Sequence, residues 1–177
     1  LVTFQRQEIL QHLLRLPPQD RRLRFGTYMN DAAVAAYVEK IDFARDKVFG
    51  IFEADLTLSG VAHLALDPEH GTAELGLSVD PEYRGRGLGY ALLNRSRLHA
   101  QNLGYKKLYM HCLAENQIMM HLARKAGMQV VTEYGEADAH VALSEATYGD
   151  LAQEFVGDQV ALIDYLLKRQ LRWLPRS

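Results

Sequence analysis

The feature that most constrains this chain is the segment RGRGLG, residues 84–89, which joins a strand pattern to a helix pattern. The strand pattern spans Thr72–Val79, and the helix pattern spans Leu88–Ala100. A turn needs one or two glycines, whereas three glycines beside two arginines indicate that the backbone itself contacts an anion. Without Cβ atoms in the way, an anion reaches the unpaired N–H groups and the partial positive charge of a helix N-terminus. The segment therefore predicts a pyrophosphate-binding turn, and a flexible solvated turn is the alternative.

The rest of the chain alternates between helical and strand-like patterns. The first helix is predicted over Arg6–Leu16 and ends at Pro17-Pro18. After a loop, Asn30 or Asp31 caps a second helix that ends near Ile41. Strands are predicted at Lys47–Ala54, Leu56–Leu66, Thr72–Val79, Lys107–Leu113, Met128–Glu133 and His140–Leu143, and later helices at Leu88–Ala100, Asn116–Ala126 and Thr147–Trp173. Hairpin-joined strands followed by strand–helix alternation predict an α/β (α+β) fold, in which helices flank a mixed sheet of about six to seven strands.

Composition narrows the classes of function. The length of 177 residues favours a single domain, 1–177, and the net charge of −2 argues against a nucleic-acid partner. The single cysteine, Cys112, excludes an intrachain disulfide and predicts a cytoplasmic protein. No apolar run approaches the roughly 20 residues of a membrane span, so no membrane partner is expected. The seven histidines show no metal-ligand spacing, and no metal site is predicted.

The strand–turn–helix junction resembles the GNAT family of N-acetyltransferases, whose hallmark is Arg/Gln-x-x-Gly-x-Gly/Ala. Arg84, Gly87 and Gly89 fill that hallmark in this sequence. The longer stretch AELGLSVDPEYRGRGLGYALL resembles the fourth strand and third helix of the family. The stretch ENQIMMHLARKAGM resembles a later family helix, with Asn116 and Gly127 at the family spacing.

The resemblance covers about residues 20–143, and it implies a fold and an activity. The N-terminal PPQDRRLRF and the spacing from AEL to RGRGLG look most like the acetyltransferase domain of bacterial Pat-type protein-lysine acetylases. The implied fold is a mixed, mostly antiparallel sheet with a C-terminal helical extension at 147–173. The implied activity is an acetyl-CoA-dependent N-acetyltransferase, which moves an acetyl group directly to a primary amine in a ternary complex. The amine acceptor would be a small molecule or a protein lysine.

The resemblance also implies which residues contact acetyl-CoA. The end of the strand would pair its backbone with the pantetheine arm, and the glycine-rich turn would hold the pyrophosphate. An asparagine from the later helix would contact the pantetheine or the 3′-phosphate side. In this sequence those residues are Leu77, Ser78, Val79, Arg84, Gly85, Arg86, Gly87, Leu88, Gly89, Tyr90 and Asn116.

Glu74 is the candidate general base, because it precedes Arg84 by ten residues, where Pat-type enzymes place a functional glutamate. On a strand of period two, it shares a face with Gly76 and Ser78, which is not an ordinary apolar face. A carboxylate there could take a proton from an ammonium group, directly or through water, especially if it were buried. The alternative is a strand glutamate that faces solvent.

The family pattern fails at the general acid. The tyrosine that commonly protonates the leaving thiolate falls seven residues after the asparagine, and here that position is Ala123. His121 lies on the same helix, but its spacing of two residues from Ala123 predicts another face. Cys112 is better interpreted as a small buried hydrophobic residue than as a nucleophile. The missing tyrosine keeps one alternative open, a non-catalytic acetyl-CoA-binding sensor or partner-binding module.

The segment 147–173 carries an apolar stripe that has to be buried somewhere. Packing on the chain's own sheet is the simple interpretation, and a homodimer contact or a lid over the acceptor site are the alternatives. The acceptor itself is not identified by the sequence. The loops that would form its pocket, near 25–45, 67–71 and 133–140, fit many amines.

Overall fold

The computed structural model describes residues 1 and 5–171, and that part of the chain contains six α-helices, six strands and a short 3-10 helix at Pro81–Tyr83. The helices are α1 (Arg6–Arg15), α2 (Pro18–Phe25), α3 (Asp31–Glu39), α4 (Leu88–Asn102), α5 (Gln117–Lys125) and α6 (Tyr148–Leu171). The strands are β1 (Lys47–Phe52), β2 (Leu58–Asp67), β3 (Thr72–Val79), β4 (Lys107–Leu113), β5 (Gln129–Glu133) and β6 (Glu136–Ala142). The predicted end of the last helix, Trp173, lies outside the described residues.

The six strands form one sheet in the order β1-β2-β3-β4-β6-β5. All neighbouring pairs are antiparallel except β3 and β4, which are parallel. The parallel pairing runs only from Thr72 opposite Lys107 to Glu74 opposite Tyr109, and beyond Glu74 the two strands separate. The prediction of a mixed, mostly antiparallel sheet flanked by helices is confirmed. The separation leaves the second half of β3 without a strand on the β4 side.

The sheet buries apolar side chains on both faces, because its residues alternate with a period of two. One face carries residues such as Leu64, Leu75 and Leu108 and is covered by α4 and α5. The other face is covered near β1 and β2 by α1 and α3, where Val48 and Val61 join the core. Helix α2 contacts β3 and β4 on this face, while the rest of β4 and β6 presents polar side chains there, with Tyr109 opposite His140 and His111 opposite Asp138.

Most predicted bounds lie within two residues of the observed ones, but two predictions are wrong by more than that. Pro17-Pro18 was expected to lead into a loop, but Pro18 is the first residue of α2, where its missing N–H costs no hydrogen bond. The last strand was expected to begin at His140, but β6 begins at Glu136. The turn before it consists of Tyr134 and Gly135, both at positive φ, which is typical of a two-residue hairpin.

Helix α6 packs mainly against α4, and near its end it also contacts the edge strand β1, where Lys168 donates to the Phe52 carbonyl at 2.7 Å and the Tyr165 ring lies 5.1 Å from that of Phe52. The simple interpretation of its stripe, packing on the sheet, therefore holds only at this edge. The contacts with α4 are polar, and include a hydrogen bond between His99 and Glu154 and an ion pair of Arg95 with Asp158. Its apolar side chains are largely exposed among the described residues, namely Leu151, Phe155, Val156, Val160, Leu162, Ile163, Leu166 and Leu167. Over residues 1 and 5–171, no helix is both long and apolar enough to cross a membrane.

Candidate active site

A cleft of about 360 Å³ opens where β3 separates from β4. Its walls come from the end of β3, the N-terminus of α4, one side of α5, and the junction of α1 and α2. The predicted cofactor residues that line it are Leu77, Ser78, Val79, Arg84, Gly85, Gly87, Leu88, Gly89, Tyr90 and Asn116. The structure therefore brings all of them except Arg86 into one cavity.

The turn between β3 and α4 leaves open space beside its glycines. Gly85 and Gly87 have φ values of 76° and 79°, and a Cβ built on either residue would meet no atom within 4 Å. Gly87 is the N-cap of α4, and no side chain caps this helix. The first N–H groups of α4 are therefore available to an anion, whose charge the helix dipole favours.

The two arginines of this turn occupy different positions. Arg84 lines the cleft, with its Nη2 2.9 Å from Oδ2 of Asp20, and its Nε donates to the carbonyl of Val79 at 3.1 Å. Arg86 is exposed, and its guanidinium lies 5.1 Å from the centre of the Tyr83 ring. Arg86 thus lies apart from the other predicted cofactor residues.

Ser78 is held in the cleft wall by a buried histidine. The carbonyl of Leu58 accepts from His12 Nδ1 at 2.8 Å, so His12 Nε2 accepts from the hydroxyl of Ser78 at 2.9 Å. Burial is the main cause that lowers the pKa of His12 from 6.5 to about 4. The imidazole is therefore neutral near pH 7 and links α1 to the strand that forms the cleft.

Glu74 lies on the open part of the sheet, which we call the Glu74 face: Glu74 and Gly76 of β3, His63 of β2, and Tyr109 and His111 of β4. The register supports this grouping, since Glu74 is opposite Tyr109 and Gly76 is opposite His63. The side chain of Glu74 is exposed rather than buried. The hydrogen bond to a neighbouring aspartate is the main cause that raises the pKa of His111, and the charge of Glu74 adds to it.

Residues 10–128, more than half of the chain, match the family described as Acetyltransferase (GNAT) family. The chain belongs to this family. A solved GNAT domain, that of S. lividans PAT, superimposes with a TM-score of 0.69 at 15% identity, over 81% of this chain and 88% of that one. At that identity the likeness shows the fold, and the predicted GNAT fold is confirmed.

Two curated relatives match shorter stretches of the chain. A mycothiol acetyltransferase of Propionibacterium freudenreichii is 38% identical over 64 residues, which is 36% of this chain and 20% of that protein. A spermidine N(1)-acetyltransferase of Vibrio cholerae is 28% identical over 93 residues, which is 51% of this chain and 54% of that protein. The chain thus spans about a fifth and about half of the length of these relatives.

The position of the usual GNAT tyrosine is not part of the cleft in this chain. Ala123 is 1% exposed and packs in the core beneath α5, whereas His121 is exposed and lines the cleft. Asn116 also lines the cleft, but its Oδ1 accepts from the Met119 N–H at 3.1 Å and caps α5. Of these side chains, His121 is the one that presents a titratable group to the cleft.

One wall of the cleft was missed from the sequence. Leu16, Asp20, Leu23 and Arg24 line it from α1 and α2, a region where no helix was predicted beyond Pro18. The signal was present, because proline followed by an acidic residue is typical of the first turn of a helix. The residues of the GNAT hallmark belong to the other wall.

Cys112 does not line the cleft. Cys112 is buried beside Met120 and Ala137, and burial raises the pKa of its thiol, as expected of a small hydrophobic residue. Within the described part of the chain, no group of three or more His, Cys, Asp or Glu side chains is arranged to hold a metal ion.

Proposed function

We propose that this GNAT protein is an acetyl-CoA-dependent N-acetyltransferase that acts on a primary amine. One observation carries the proposal: the end of β3, which has no partner strand on the β4 side, and the glycine-lined start of α4 line one cleft. Glu74 lies earlier on the same strand, on the face that it shares with Ser78. The backbone of Leu77–Val79 would pair with the pantetheine arm. The N–H groups that follow Gly87 would bind the pyrophosphate.

In the proposed reaction the acceptor amine attacks the acetyl carbonyl carbon of the thioester. A C–N bond forms, the C–S bond breaks, and coenzyme A leaves as a thiolate. Glu74 would take the proton that the amine loses, directly or through a water molecule on the Glu74 face. A thiolate is a reasonable leaving group, so the absence of a tyrosine at Ala123 is compatible with turnover.

The acceptor class that we propose is a primary amine. The relatives are named for mycothiol and spermidine acetylation, and the likeness to the PAT domain extends to the fold alone. A non-catalytic acetyl-CoA-binding module is the second candidate, favoured by the apolar core position of Ala123 in place of an acid. The two candidates differ in whether coenzyme A is released when an amine is added.

The decisive experiment follows coenzyme A release from acetyl-CoA with a thiol reagent, in the presence of amino acids, polyamines, aminoglycosides and lysine-rich proteins. Binding of acetyl-CoA is measured separately by calorimetry. Release that depends on one acceptor class supports the enzyme. Tight binding without release on any acceptor favours the binding module, and a blank without acetyl-CoA accounts for Cys112.

We also propose that the exposed apolar face of α6 forms a homodimer contact. The face includes Phe155, Val160, Ile163 and Leu167, each at least half exposed. Such a continuous apolar surface is unusual on a monomer. Light scattering of the wild type and of the double variant Val160→Glu, Ile163→Glu tests the contact, and equal masses for both would contradict it.

A further inference from the structure

Arg24 lies where the cleft meets the Glu74 face. It lines the cleft from α2, and its guanidinium covers β3 at Gly76, since a Cβ added to Gly76 would overlap with Cζ and with both Nη atoms. Gly76 lies between Glu74 and Ser78 on one face of the strand. The guanidinium therefore sits between the proposed base and the cofactor cleft.

A directed chain of hydrogen bonds holds Arg24 in this position. Asp46 is buried, and its carboxylate accepts from Nε2 of His63 at 3.0 Å, which leaves Nδ1 of His63 as an acceptor. Nδ1 accepts from the hydroxyl of Tyr37 at 2.7 Å, and the Tyr37 oxygen in turn accepts from Nη2 of Arg24 at 3.1 Å. The chain uses one of the five N–H groups of the guanidinium.

The charge of Arg24 has no anionic partner among the described residues. Two other arginines of α2 do have one, since Arg21 pairs with Asp31 and Arg22 pairs with Glu115. Arg24 is partly buried instead against the rings of Phe25, 4.9 Å from its guanidinium, and of Tyr37, 5.8 Å from it. A cation that is partly removed from water without a counter-charge is costly, which points to a charged ligand.

The phosphates of the cofactor are too far away to be that ligand. The anion-binding turn begins beyond the end of β3, and the three residues from Gly76 to Val79 alone span about 10 Å. The pantetheine arm that would occupy this length is uncharged. The remaining ligand at Gly76 is the acceptor, whose amine must lie between Glu74 and the thioester.

We propose that Arg24 binds an anionic group of the acceptor, and that the acceptor is a primary amine with a carboxylate close to its nitrogen, as in an α-amino acid. This inference rests on the function proposed above. A guanidinium presents paired N–H donors that match a carboxylate, and a carboxylate next to the amine would lie against Gly76. A polyamine would bring a second cation to the same place and be repelled.

The experiment compares coenzyme A release for matched pairs of acceptors, such as phenylalanine with 2-phenylethylamine and alanine with ethylamine. We expect the wild type to prefer the amino acid by about 10- to 100-fold in kcat/KM, the range of a charge-assisted hydrogen bond. Arg24→Gln should remove this preference by lowering kcat/KM for the amino acid alone. Arg24→Lys should keep part of it, and Arg22→Gln, on the same helix, should keep all of it.

A second variant tests the same proposal in case Arg24→Gln does not fold. Gly76→Ala leaves the arginine in the chain but displaces its guanidinium, so it should lose the same preference. Acetyl-CoA affinity and the melting temperature are measured for each variant, and the comparison is made among those that match the wild type.

The outcomes separate the two proposals. If amines without a carboxylate turn over as well as amino acids, or if Arg24→Gln slows both members of a pair equally, the assignment of Arg24 is wrong and the acetyltransferase stands. If no amine of any class releases coenzyme A, the proposed function is wrong and the inference about Arg24 is overturned with it.

Discussion

The cleft and the Glu74 face lie side by side but are built in different ways. The cleft depends on one continuous stretch, Leu77–Tyr90, and mainly on its backbone groups and glycines. The Glu74 face depends on side chains, and the Arg24 guanidinium beside it is held through Tyr37 of α3 and His63 of β2. A backbone site suits a ligand that is the same throughout a family, whereas a side-chain site can be changed one residue at a time to suit different acceptors.

The largest effect is expected on the Glu74 face. Glu74→Gln should lower kcat by about 10²- to 10⁴-fold, the usual contribution of a general base. Acetyl-CoA affinity should stay at the wild-type value, because Glu74 is not part of the cleft lining. Coenzyme A release measures kcat, and calorimetry measures the affinity for acetyl-CoA.

Glu145→Gln is the matched control for that substitution, since Glu145 is exposed in the loop between β6 and α6. It should retain full activity. An unchanged kcat for Glu74→Gln would place the base elsewhere, and the assignment of proton transfer to the Glu74 face would then be wrong.

The next largest effect concerns His12, whose side chain holds Ser78 in the wall of the cleft. The pKa of His12 is lowered to about 4 from 6.5, so the unfolded chain binds more protons between these values. The contribution of neutral His12 to the free energy of unfolding is therefore fully present above about pH 6.5. It is lost as the pH falls toward 4, and the whole loss is on the order of 3 kcal/mol. Urea unfolding at about pH 7 and pH 4.5 should show a steeper loss for the wild type than for His12→Gln. Equal losses would show that His12 does not control acid stability.

The same contrast between a site built from backbone and one built from side chains explains how much of each region the sequence predicted. The sequence singled out the glycine turn, whose residues apart from Arg86 line one cleft, because a helix N-terminus and its glycines are local features of the chain. The hydrogen-bond chain from Asp46 to Arg24 was not predicted, because its members are up to 39 residues apart and meet only in the folded sheet. Helix α2 was missed because Pro18 is both a helix breaker and a favoured first residue.

The glycine turn offers a matched pair of substitutions. Gly87 and Gly104 have φ values of 79° and 81°, and a Cβ on either would meet no atom within 4 Å. Alanine should therefore cost each site about 1 kcal/mol of folding stability, which is the strain of the left-handed region. Only Gly87→Ala should weaken acetyl-CoA binding, by about tenfold, because its methyl group would occupy the space of the phosphates. Equal affinities for the two variants would contradict a phosphate site at Gly87.

Asn116 carries the smallest expected effect, and it tests where the two regions join. Its Oδ1 caps α5, while its Nδ2 lies 3.5 Å from the Leu23 carbonyl on α2. Asn116→Ala should cost about 1 kcal/mol through the lost cap, a fall of about 2–4 °C in melting temperature. Asn116→Asp keeps the capping oxygen and should restore the melting temperature. If it restores acetyl-CoA affinity as well, Asn116 acts by capping the helix that walls the cleft. If the affinity stays low, the amide N–H group itself contacts the ligand, and the cleft depends on a side chain as the Glu74 face does.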